Sequence, residues 1–64
     1  MTKLLRLKQV LAATGKSRSS VYADPSFPKP ISIGERSVAW VEDEVAAWMD
    51  ERIAQRNRRR QDAV

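Results

Sequence analysis

Apolar residues recur along this chain at two spacings, and the change from one to the other divides it into elements. In "LKQVLAAT", Leu7, Val10, Leu11 and Thr14 fall at i, i+3, i+4 and i+7, one face of a helix of two turns. Gly15 follows at the position where a left-handed residue closes a helix. The start is less marked, because neither Arg6 nor Leu7 is a good N-cap; Leu4 and Leu5 read as a short extended lead-in. Ser17 opens a second helix, its hydroxyl placed to accept from the amide of Ser19 or Ser20. That helix runs from Arg18 to Ala23, and Pro25 ends it by disfavouring helical geometry at Asp24. Val21 is its one strongly apolar residue, so one side is buried and the rest faces out.

From Phe27 the spacing shifts. Phe27 is suited to anchor the chain to a core, while Pro28 and Pro30 keep the backbone extended around an outward Lys29. Ile31 and Ile33 alternate with Ser32, and Val38 and Trp40 alternate with Ala39, on either side of "GERS". This predicts a hairpin with one apolar face and Gly34 as its turn residue. Val41, Val45, Trp48, Met49 and Ile53 then return to helical spacing as one continuous stripe. Glu42, Asp43 and Glu44 in the first turn and Arg52, Arg56 and Arg58 near the end suit the helix dipole, predicting a helix from about Glu42 to about Arg56. The expected fold is mostly α with a small β-hairpin: helix, turn, short helix, hairpin, long C-terminal helix. Residues 1–55 make one domain and residues 56–64 a basic, flexible tail.

Composition narrows the chemistry. The chain has 64 residues with no cysteine and no histidine, which removes disulfides, Cys/His metal sites, thiol nucleophiles and imidazole bases. No cofactor or metal is expected. Glu42, Asp43 and Glu44 are adjacent on a helix and do not face one another as a catalytic pair. Ser17 beside Lys16 lacks an oxyanion site, and two glycines make no phosphate loop. An enzyme is therefore not expected. Charges interrupt "MTKLLRLKQVL", which does not read as a targeting signal, and the expected location is the cytoplasm, at the nucleoid.

The net charge of +4 conceals a strong pattern. Residues 1–34 carry six cations against Asp24, residues 35–51 carry six acids against Arg36, and residues 52–64 carry five arginines against Asp62. Basic blocks of this kind suit a polyanion such as nucleic acid. Two short helices joined by "GKS" form a helix-turn-helix, whose second helix enters the major groove. Arg18, Ser19, Ser20 and Tyr22 would then meet base edges, with Lys16 and Ser17 in the turn near phosphate. The hairpin becomes a wing, with Arg36 and Ser37 at its tip and Lys29 beside it on the DNA backbone. A different class of function is a protein-interaction module using the acidic face Asp43, Glu44, Asp50 and Glu51. The arginines of the tail either form a DNA-contacting arm or a solubilising end.

Two stretches, "LLRLKQVLAATGKSRSSVY" and "FPKPISIGERSVAWVEDEVAAW", resemble the AlpA-like prophage regulatory proteins, relatives of phage excisionases and, more distantly, of MerR-type winged helices. The resemblance covers residues 4–53. It implies a winged helix-turn-helix that binds double-stranded DNA and regulates phage or prophage transcription, or else bends DNA as an excision accessory factor. RNA polymerase or a recombinase are the further partners it suggests, with dimers or cooperative copies on the DNA. By position, Ser17 to Tyr22 correspond to the recognition helix, Gly34 to Ser37 to the wing turn, and Trp40, Val45 and Trp48 to the core signature. Many members have about one more helical turn before the "FP", so the recognition helix here is expected to be unusually short.

Overall fold

The computed structural model describes residues 2–62, with side chains through Arg58. Its elements are β1 (Leu4–Leu5), α1 (Leu7–Thr14), α2 (Arg18–Ala23), β2 (Ile31–Gly34), β3 (Ser37–Val41) and α3 (Glu42–Asp62). The fold is thus helical with a small antiparallel sheet, and that sheet has three strands in the order β1-β3-β2.

Local chemistry sets the two short helices. Arg6 has only donors on its side chain and cannot cap α1, so the capping works in reverse: Gln9 Oε1 accepts from the Arg6 N–H at 2.8 Å. Gly15 closes α1 at φ 73°, its N–H donating to Leu11 O at 2.9 Å. Ser17 caps α2, its Oγ accepting from the Ser20 N–H at 3.2 Å. Asp24 leaves the helix at ψ 113°, the extended geometry that Pro25 imposes on the residue before it.

The extended lead-in at Leu4 and Leu5 does more than its sequence indicated. It pairs with β3, Leu4 opposite Val41 and Leu5 opposite Trp40, and the Glu42 N–H donates to Lys3 O at 2.8 Å. This makes β3 the central strand. Trp40, Val10 and Val45 are fully buried there, with Leu5, Val21 and Phe27 around them. Burial of each such side chain contributes roughly 2 kcal/mol, so this small cluster holds the elements together. Trp48, expected in the core, packs against the cluster while staying partly exposed.

Three expectations need correction. The hairpin has no buried apolar face on β2, whose Ile31 and Ile33 are 42% and 44% exposed, because nothing among the described residues covers that edge strand. Gly34 is a strand residue paired with Ser37, and Glu35–Arg36 form the turn. Among the described residues only Gly15 has positive φ, so this turn is not the mirror-image type that matches strand twist; a register irregularity between Ser32 and Gly34 accompanies it. Finally, Val41 belongs to β3, Ile53 is 49% exposed, and α3 continues past Arg56 to Asp62. Residues 55–62 hold no glycine or proline and are rich in Arg and Gln, which favour helix.

Candidate nucleic-acid interface

The start of α1, the outer face of α2 and the tip of the β2–β3 hairpin converge on one open groove of about 440 Å³. Four cations line it: Arg6 and Lys8 from the α1 end, Arg18 from α2 and Arg36 from the hairpin. Leu7 and Val38, both half-buried, line it as well. Tyr22 lies one turn after Arg18 on the same helix face and shares the groove. The residue is 47% exposed and its ring meets Trp40 edge-on, with centroids 5.8 Å apart, so the core helps to orient this exposed aromatic.

Among the described residues, the ion pairs are Lys3–Glu42, Lys16–Asp24, Arg52–Asp24 and Arg58–Glu51. None of the four groove cations is in that set. Like charges gathered around an open groove with no acid in its lining favour an external anion, and a polyanion can meet several of them together.

The structure sorts the residues that the sequence singled out. Arg18, Tyr22 and Arg36 come together at the groove, and Ser19 is exposed beside them on α2. Ser17 and Ser20 are bonded to each other, Oγ to Oγ at 2.9 Å, as well as through the cap. Lys29 is exposed but outside the groove lining, and Ser37 is half-buried at the start of β3. Lys16 departs from expectation. Its ammonium turns inward to Asp24 Oδ2 at 3.1 Å and lies 5.2 Å from the Trp48 ring centroid, leaving the side chain only 18% exposed.

Sequence reasoning missed Arg6 and Lys8 as groove residues. They flank Leu7, and only the pairing of β1 with β3 carries the start of α1 to the hairpin. On the far side of the molecule's charge pattern, Asp43, Glu44 and Asp50 are exposed, whereas Glu51 is engaged by Arg58 at 3.0 Å. Arg59 and Arg60 of the expected tail lie outside the described side chains.

Comparison with known proteins shows the family of the chain. Residues 3–53, which hold all four groove cations, match the family described as "Prophage CP4-57 regulatory protein (AlpA)". The chain belongs to the AlpA family of prophage regulatory proteins. It is 42% identical over 59 residues to the uncharacterized protein ORF88 of Enterobacteria phage P4, a match spanning 88% of this chain and 67% of that protein. It is 34% identical over 59 residues to the DNA-binding transcriptional activator AlpA of Escherichia coli (strain K12), across 78% of this chain and 84% of the relative. No solved structure matches the chain. Among the described residues of this AlpA-family chain, no helix is long and apolar enough to cross a membrane.

Proposed function

We propose that the protein is a winged helix-turn-helix regulator that binds double-stranded DNA through the groove between α1, α2 and the hairpin. In this reading α2 lies in the major groove, where Arg18 donates to guanine O6 and N7 and Ser19 and Tyr22 reach neighbouring edges. The hairpin is the wing, and Arg36 holds the adjacent backbone or minor groove. Arg6 and Lys8 hold phosphates on the other side. The observation that carries this is the convergence, from three separate segments beside the exposed face of α2, of four cations that have no ion-pair partner among the described residues. A family of prophage regulators that includes a relative named as a DNA-binding transcriptional activator supports the same reading.

A reading head of six helical residues spans a half-site at most, which favours dimers or adjacent copies on DNA. The test is selection of a preferred duplex from a random pool, followed by titration of parent and Arg18→Ala. Loss of base preference in Arg18→Ala, with binding to generic DNA retained, is the expected outcome. If Arg18→Ala selects and binds the same site as the parent does, α2 is not the reading element.

A further inference from the structure

Helix α2 has six residues and one buried side chain, Val21, too little for a short helix to hold its own direction. Its anchors lie at its ends. Lys16 sits just before the Ser17 cap, Asp24 is the C-cap, and their ion pair joins the two ends of the helix. The Asp24 carboxylate is occupied on both oxygens. Its Oδ1 accepts from the Ser26 N–H at 2.9 Å and the Ser26 hydroxyl at 2.7 Å, while Oδ2 accepts from Lys16. Ser26 Oγ in turn accepts from Arg52 Nη2 at 3.0 Å and from Trp48 Nε1 at 3.3 Å, both on α3. Arg52 also stands 3.8 Å from Asp24 Oδ2 and 5.0 Å from the Trp48 ring centroid.

This is unlike an ordinary surface pair. Lys16 and Asp24 are 18% and 20% exposed, against 60% for both partners of Arg58–Glu51, so solvent screens the first pair far less. The cluster ties both ends of α2 to α3, and its residues are not in the groove lining.

We infer that Asp24, with Lys16, Ser26 and Arg52, is a positioning cluster that sets the angle at which α2 presents Arg18, Ser19 and Tyr22, and that Lys16 contacts no phosphate. The inference rests on the DNA-binding reading above and assigns the cluster a role in selectivity. Its signature is a sign. Removing an acid from a DNA-binding protein strengthens binding to any duplex, whereas releasing α2 weakens binding to the preferred one.

The experiment compares parent, Asp24→Asn, Lys16→Gln, Arg52→Gln and Arg18→Ala on the selected duplex and a generic one across a salt series, with thermal melts alongside. Asp24→Asn should lower the ratio of selected to generic affinity by about threefold or more, the scale of coupling among residues in one network. Arg52→Gln, a half-exposed position that leaves the Lys16–Asp24 pair in place, should lower it in the same direction even where Asp24→Asn fails to fold. Lys16→Gln should keep the salt slope of the parent; a lost phosphate contact would make it shallower by about 0.9. An unchanged ratio in Asp24→Asn and Arg52→Gln, or a shallower slope in Lys16→Gln, overturns the inference. If Arg18→Ala lowers the ratio while the cluster variants do not, only this inference falls. A parent with no preference among duplexes overturns the DNA reading as well.

Discussion

Neutralising the α1 end of the groove, by Arg6→Gln with Lys8→Gln, should cut the salt sensitivity of DNA binding by about two thirds. Both side chains are exposed, and the cap on α1 uses the Arg6 backbone N–H with Gln9, so the double variant keeps the helix start. With Arg18 on base edges, the three groove cations Arg6, Lys8 and Arg36, each neutralising one phosphate, give log K against log salt a slope of about −2.7, and removing two leaves about −0.9. From 50 to 200 mM salt, the parent should then lose affinity about 40-fold and the variant only about 3.5-fold, taking roughly 0.9 counterions per contact. Fluorescence anisotropy with any labelled duplex measures this, because the counterion effect is independent of sequence and needs no operator. A slope within about 0.3 of the parent in the double variant would refute the placement of α1 on the DNA backbone, since each true contact accounts for about 0.9. Equal loss at every salt concentration would instead point to a damaged fold, which a melt would reveal.

Two further outcomes follow from local geometry. Gly15→Ala should destabilise by about 1–2 kcal/mol, the cost of a side chain at φ 73°, although nothing lies within 4 Å of the added methyl. Gly34→Ala should stay within about 0.5 kcal/mol in the same melts, since φ is not positive there and the nearest atom, Ser37 Cβ, is at an ordinary 3.6 Å. Acid should act through Asp24, whose carboxyl is held well below the usual carboxylate range by the Ser26 hydroxyl, the Ser26 N–H and Lys16. With its folded pKa depressed, its contribution is full above about pH 4 and is lost as the pH falls further, because the unfolded chain takes up the proton first. Asp24→Asn should flatten that part of the stability curve, as followed by circular dichroism.

What the sequence disclosed and what it withheld divide along a physical line. Gly15, Ser17 and Pro25 act on the backbone within a few residues, so the end of α1 and both bounds of α2 could be read directly. Val45 and Trp40 sit in clear apolar patterns and Phe27 is a lone aromatic anchor, and all three are buried. Contacts between distant segments were hidden. Nothing local to "KLLRLK" says that Leu5 will face Trp40, so the third strand and the groove residues Arg6 and Lys8 escaped notice. The surroundings of Lys16 were hidden for the same reason: nothing local to the turn says that Asp24 and Trp48 will close over its ammonium. The far end of α3 is a milder case. The apolar stripe stops at Ile53, whereas the helix continues to Asp62 through residues of good helix propensity.

Strand β3 passes into α3 without a loop, Val41 still paired with Leu4 and Glu42 already helical. A helix of 21 residues is about 31 Å long, so the junction is the pivot of a stiff lever. A tilt of only a few degrees in the sheet, such as a bound duplex could impose on the hairpin, would sweep the arginine-bearing end through more than an ångström. The junction also fixes rotation. One residue inserted between Val41 and Glu42 would turn every later side chain by about 100°, carrying Trp48 and Arg52 away from Ser26.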